Sequence, residues 1–597
     1  MFRLITVLIW FGLLLSCTAS DQINVDEPVS GEMGSAEYGI VPWIMACRVP
    51  GQGFGCFPGD VSFVTRTGMA LEALQLLGRL DEIKDRQALI AWLKSKQNVD
   101  GGYREADDFY HGKSLPWGTD SALEPTYWAL KTLRLLGGDP DDPERTAKFI
   151  RDRQLPEGAF DSYELGWNET RTKAMSYSTF WAVAALKELG EPVPETEKVI
   201  AFLRQLQSPP GGSGGFRLGD LQFTVFNAQA CFYATSALSL LGMAPERPAE
   251  VRSFLFSSHG QEPDGGFECG HGDAWNNYDH DSRMVDTYAA VKTLEMLGQP
   301  LSDENTSRAT SPLLDCIHWI TSLQNPDGGF ARFGVTEMTP LPSPSEMAPT
   351  WQAVSTLSLL NAEFPSPADP IIPEDEVQPH VPKYLYPSIR NEDPVDVWAY
   401  RRIALPIHEY FFERTGSHIE TIGYLSKWAR KAVSPVNAAF GTGGRSLLMH
   451  GLGQCGQMSL MLQQLAASVD YPARYSFTFG CFGGDVNCEI RVQEKDWDRP
   501  HWCLFIPFAN EYIDPTIATP EGKTNGWSAL DCAIDLSLRK TALNYPSRTK
   551  VGDHIFETIR IEMVDYETGQ WGEELRMDLS TTYDSEVARK LYPGESW

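Results

Sequence analysis

Six times between residues 50 and 361 the chain makes a glycine–aromatic turn and then enters a helical pattern. The turns are Gly53-Phe54, Gly101-Gly102-Tyr103, Gly158-Ala159-Phe160, Gly214-Gly215-Phe216, Gly265-Gly266-Phe267 and Gly328-Gly329-Phe330. A repeat of about 50 residues constrains the fold more than anything else here. One such unit cannot bury its apolar face alone, so it must stack on its neighbours. Helices starting near Thr126, Thr179, Thr287 and Thr350 carry apolar residues at i, i+3, i+4 and i+7. Threonine near each start reads as an N-cap, and Gly137, Gly190 and Gly298 read as left-handed C-caps. A second helix in each unit ends in Gln, as at Gln97 and Gln207. Six such helix pairs can stack side by side and close into a ring.

The turn and its preceding Gln resemble the repeats of terpenoid cyclases and protein prenyltransferase β-subunits. The resemblance implies an all-α (α/α)6 toroid over residues 40–362. It does not carry those families' chemistry with it. The class II cyclase signature Asp-x-Asp-Asp-Thr has its nearest counterpart in Arg283-Met284-Val285-Asp286-Thr287, which keeps one acid. The zinc ligands of protein prenyltransferases fall on Arg283, Val285 and Pro349, so no metal and no cofactor is expected. Tyr127, Trp128, Tyr177, Trp181, Tyr233, Tyr288 and Trp351 fall in the first turns of the inner helices. They either line a cavity for an apolar, glycan or peptide ligand or pack as ordinary core. The loop from Gly270 to Asp281 lacks metal-site spacing and reads as a hydrogen-bonded surface loop.

The net charge of −29 disfavours nucleic acid as a partner. Met1-Phe2-Arg3 followed by an apolar run to Leu15 reads as an export signal over residues 1–20. Cys17 ends a lipobox-like Leu14-Leu15-Ser16-Cys17, so an exported, periplasmic or lipid-anchored protein is expected, attached to a membrane through that lipid. Export permits disulfides. Cys47 with Cys56, and Cys481 with Cys488, each flank a short loop and are the candidate pairs. Residues 363–395, rich in proline and acids, read as a linker.

In residues 396–597, Cys455 opens a segment whose Met458, Met461, Leu462 and Leu465 share one helix face. At a helix start, the dipole and unpaired amides lower a thiol's pKa. Pro472-Ala473-Arg474, His501 before a strand pattern and Asp514 in Asp514-Pro515-Thr516 follow in order. This order resembles the transglutaminase-like superfamily and implies an α+β domain. In it Cys455 is the nucleophile, His501 the base and Asp514 the orienting group. Trp502 follows His501 by one residue, where that family has its aromatic at two. His450 is the rival base.

The expectation is therefore an exported thiol-dependent amide hydrolase or transamidase whose toroid binds a peptide, protein or small-molecule substrate. The alternatives are a non-catalytic scaffold and an isoprenoid enzyme acting through the toroid.

Overall fold

The aromatic turns fold as small hydrogen-bonded corners, each tied to the helix that follows. In a computed structural model, described at residues 39–106, 120–161, 174–219, 226–257, 260–268, 282–301, 311–335, 341–365, 394–435, 445–450, 452–453, 455–480, 483–495, 497, 500–506, 511–512, 558–564 and 571–578, the first two thirds form a ring. The inner helices are α2 (Val64–Leu76), α4 (Leu123–Leu136), α6 (Ser176–Leu189), α8 (Ala228–Leu240), α10 (Met284–Met296) and α12 (Met347–Leu359). The outer helices are α1 (Ile40–Ala46), α3 (Arg86–Ser95), α5 (Pro143–Arg151), α7 (Thr196–Gln205), α9 (Pro248–Leu255) and α11 (Ser311–Ser322). Each inner helix packs on the next, and α12 packs back on α2, which closes the circle. The expected toroid is borne out.

Three polar devices repeat around this ring. The Gln Nε2 donates to a turn carbonyl: Gln97 to Gly101, Gln261 to Gly265 and Gln324 to Gly328. The same nitrogen also reaches the next outer helix at Thr146 and Pro312, and the segment that leaves the ring at Pro365. The turn aspartates Asp100, Asp264 and Asp327 accept from the second Gly amide and from a serine hydroxyl. The third device corrects an expectation. The threonines do not cap their helices; Thr67, Thr126, Thr179, Thr287 and Thr350 accept the amide of the turn aromatic, at 2.9–3.1 Å. In the fourth repeat Cys231 Sγ takes that place, at 3.4 Å from Phe216 N. Among the inner helices, Asn227 is the residue whose side chain caps, accepting from Ala230 N. The expected glycine caps hold at Gly137 and Gly190, both left-handed.

Gly328 shows why these turns need glycine. Its φ is +91°, and a Cβ would sit 2.1 Å from the carbonyl oxygen of Gly39. The sixth turn thus lies against the start of α1, and Trp43 Nε1 bonds Asp327 at 3.1 Å. Chain start and chain end of the ring are stitched at this point.

Residues from Ala36 onward form one unit. Its C-terminal part has helices α13 (Pro394–Thr415), α14 (His418–Ala432), α15 (Arg445–His450) and α16 (Cys455–Ser468). Two short pairs of strands are β1 (Phe160–Asp161) with β2 (Ala174–Met175), and β3 (Ser434–Pro435) with β4 (Leu452–Gly453). The remaining strands are β5 (Ala473–Gly480), β6 (Gly483–Val492), β7 (His501–Ile506), β8 (Glu511–Tyr512), β9 (Thr558–Val564) and β10 (Trp571–Asp578). They form one sheet in the order β10-β9-β5-β6-β7-β8. Helix α16 packs on β5 and β6, and Met458, Met461 and Leu465 share a core with Cys488, Ile490 and Phe505.

The expected Cys47–Cys56 bridge is not formed. Cys47 is buried in the ring core, whereas Cys56 belongs to the second core, beneath the C-terminal helices. Cys488 is likewise an unbridged, buried thiol. Residues 1–20 with Cys17, the loop 270–281, most of the linker, Cys481 and Asp514 lie outside the described residues.

Candidate active site in the toroid

The five threonines and Cys231 give every inner helix a common phase. Two residues before each come Thr65, Glu124, Tyr177, Gln229, Val285 and Ala348. One residue after come Gly68, Tyr127, Phe180, Phe232, Tyr288 and Trp351, and two after come Met69, Trp128, Trp181, Tyr233, Ala289 and Gln352. Sixteen of these eighteen, all but Thr65 and Gly68, line a single cavity of about 110 Å³ on the ring axis. The phase follows from helix geometry, since positions three and four apart share a face. All seven aromatics expected from the sequence line it together, with Phe180 and Phe232.

The walls are ring against ring. Trp128 meets Trp351 edge-on at 5.3 Å, Tyr288 lies 4.8 Å from Trp351, and Tyr177 meets Tyr233 at 5.1 Å. These side chains are packed and still leave a void. An apolar cavity of roughly 150 Å³ holds benzene, so this one has room for a single small ring or one isoprene unit. The indole N–H groups of Trp181 and Trp351 are buried without an acceptor among the described residues.

Glu124 is a candidate site residue that sequence reading missed. It stands at the second position of α4, is 6% exposed, and faces the cavity. Burial pushes its carboxyl above the usual range; the bond from Tyr177 Oη and the charge of Arg66 oppose this without cancelling it. Asp286, the one acid kept from the cyclase signature, is fully buried and also raised, first by burial. Arg283 lies 3.1 Å from it, and Gln229 Nε2 donates to it at 2.9 Å. Gln229 lines the cavity, so Asp286 reaches it through that amide. Burial shifts both acids toward the neutral form, opposed at Asp286 by Arg283 and Gln229 and at Glu124 by Tyr177 and Arg66.

Met449 of α15, Arg66 and Lys131 complete the lining; Lys131 Nζ lies over the Tyr127 and Trp128 rings and pairs with Glu72 at 2.8 Å. Among the described residues no group of three His, Cys, Asp or Glu side chains converges to hold a metal ion. The residues do not fit a metal at the positions where prenyltransferases carry one, and no step below uses one.

Cys455 does begin α16 and His501 does begin β7, though their side chains lie outside the described residues. Only residues 469–472 join α16 to β5, so the strand runs back along the helix. Arg491 N donates to Pro472 O, and the next residue, Val492, pairs with His501. Position 501 is therefore level with the C-terminal end of α16. Cys455 is at the other end of this 14-residue helix, which is about 20 Å long at 1.5 Å per residue. Trp502 turns to the opposite sheet face from Cys503. It lies under Arg474, whose guanidinium is 3.9 Å from the ring centre and bonds Glu489 at 2.9 Å. Arg474 thus serves a buried ion pair on the far side of the sheet from α16.

The profile of the prenyltransferase alpha-alpha toroid domain family matches residues 17–114, 119–224 and 221–364, more than half of the chain. The chain belongs to that family. Similar solved structures include the protein geranylgeranyltransferase-I of Candida albicans complexed with GGPP, at 19% identity and TM-score 0.32, covering 42% of this chain and 71% of that one. The type II terpene cyclase MstE from Scytonema is 14% identical with TM-score 0.35, covering 54% and 94%. A protein from Actinoplanes is 15% identical with TM-score 0.31, covering 51% and 91%. No curated protein matches the sequence. The family match ends at residue 364 and lends nothing to the transglutaminase-like resemblance.

Proposed function

We propose that this chain acts through its toroid as an alkene-protonating enzyme of the isoprenoid-processing class. One observation carries the reading: Glu124, a buried carboxyl held toward its neutral form, faces a cavity walled by nine aromatic rings. The neutral acid gives its proton to one carbon of a substrate double bond, whose π electrons form the new C–H bond. The cation left on the neighbouring carbon faces the negative ring surfaces, which attract cations. Loss of an adjacent proton to the Glu124 carboxylate restores both an alkene and the acid. The net result is isomerisation, or ring closure when a second double bond of the same molecule captures the cation first. Membership of the toroid family supports this reading.

The test is solvent deuterium incorporation. Incubated in D2O with dimethylallyl or geranyl compounds, the protein should yield deuterated product by mass spectrometry. Glu124→Gln should abolish incorporation while tryptophan fluorescence still reports binding. No incorporation by the wild type, or undiminished incorporation by the variant, overturns the reading. Thiol acyl transfer, which the sequence placed first, retains the position of Cys455 at a helix start.

A further inference from the structure

We propose that Met449, contributed by the C-terminal part, sets the size of the ligand that the toroid cavity admits, and that its helix α15 is the lid through which a longer ligand enters. The proposal rests on the reading that this cavity is the substrate site. Among the described residues, every other lining residue comes from the six inner helices; Met449 comes from a six-residue helix nearly 400 positions further on than Arg66. Leu447, Leu448 and Met449 are all buried, at 0%, 5% and 8% exposure.

The lid is latched through its backbone. The last carbonyls of a helix have no intrahelical partner, and cations near them are favourable. Arg66 Nη2 donates to Met449 O at 2.8 Å, and Arg332 Nη2 donates to Leu448 O. Arg332 is itself fixed by two bonds to Glu346, at 2.7 and 2.6 Å. Both arginines belong to the ring, so the latch holds two carbonyls while leaving the Met449 side chain to its own contacts. An unbranched thioether adapts its shape easily, which suits a wall that must fit more than one occupant. A cavity sized for one isoprene unit cannot take a longer chain without giving way. Among the lining groups, Met449 is the one outside the closed ring.

The experiment uses full-length protein and a probe series of benzene, indole and naphthalene, with binding read from the fluorescence of the cavity tryptophans. Wild type should bind benzene and exclude naphthalene. Met449→Ala should bind naphthalene at least tenfold more tightly than wild type does. The same size cut-off in both proteins overturns the proposal. Arg66→Lys weakens the latch without opening a void. It should speed acrylamide quenching of the tryptophans at least twofold, and unchanged quenching also overturns it. Neither readout needs turnover. Failure of Glu124 as the acid would leave both shifts intact, so the two ideas fail separately.

Discussion

Replacing Glu105 by Gln should stabilise the ring at alkaline pH and leave it nearly unchanged at acid pH. Glu105 is 2% exposed and accepts from Thr65 N at 3.1 Å and Thr65 Oγ1 at 2.6 Å, at the first turn of α2 beside the latch residue Arg66. Burial raises its pKa from 4.5 to about 7, against the lowering effect of the Thr65 bonds and the Arg66 charge. The sign follows from proton counts. Between pH 4.5 and 7 the folded state binds more protons than the unfolded state, so stability falls as pH rises through that window. Below it both states are protonated and nothing is lost; above it the loss is complete. A shift of this size corresponds to about 3 kcal/mol, or about 4 °C for a ring of roughly 300 residues. Gln keeps the accepting oxygen and never ionises. Glu124 and Asp286, also raised, act in the same direction as Glu105. His408 and His418 are lowered by burial and act the opposite way, gaining stability as pH rises toward 6.5. Asp286, His408 and His418 are common to wild type and variant and cancel in the difference; Glu124, whose charge also raises Glu105, is coupled to it and is eased by the same substitution. The assay is the difference in thermal midpoint between Glu105→Gln and wild type at pH 5, 6, 7 and 8. It should grow by about 4 °C across the series. An equal difference at pH 5 and pH 8 would refute the reasoning.

Two further outcomes test the C-terminal part. Glu489→Ala removes the carboxylate bonded to buried Arg474 and should cost about 3–5 kcal/mol in denaturant unfolding; the Arg474→Met, Glu489→Met double variant should cost less than that single change, because it removes both charges together. His501→Ala should leave the pH dependence of alkylation at Cys455 unchanged within about twofold, followed by peptide mass mapping, since about 20 Å of helix separates the two positions; an upward shift of the thiol's pKa in the variant would restore the triad.

The ring was legible because its determinants are local and recur. Each Gln, Asp, Gly and aromatic of a turn has a partner within its own repeat or the next, so six copies of one pattern point to one architecture. The aromatic wall was legible for the same reason, since the threonines set the phase. Glu124 was not. An acid in the first turn of a helix is ordinary, because it favours the positive end of the dipole, and nothing local marks this one as facing inward. Its signal was the apolar company of Leu123, Pro125 and Trp128, which reads as acid-in-core only once the ring has closed. The latch was still less accessible, as Arg66 and Met449 meet only through tertiary structure. Cys47 and Cys56 failed differently. Their spacing permits a bridge, but spacing does not reveal that a chain segment passes from one core into another.

The C-terminal motif shows what residue order can and cannot encode. Cys455, Arg474, His501 and Asp514 occur in the sequence that a cysteine triad requires, yet a catalytic set must share one end of a sheet. In an antiparallel meander each strand reverses the end at which it begins. Helix α16 starts at Cys455 and delivers the chain, through four residues, to the start of β5 at the far end. Strand β5 returns to the level of Cys455, and β6 begins there, as the pairing of Gly480 with Gly483 requires. Strand β6 then carries the chain away again, and β7 opens opposite Val492. His501 thus opens its strand at the sheet end where β6 closes, opposite Val492. A base serving Cys455 would have to come from the end of β5, the start of β6 or the end of β7. No count of residues between motifs distinguishes these cases; only the number of reversals does.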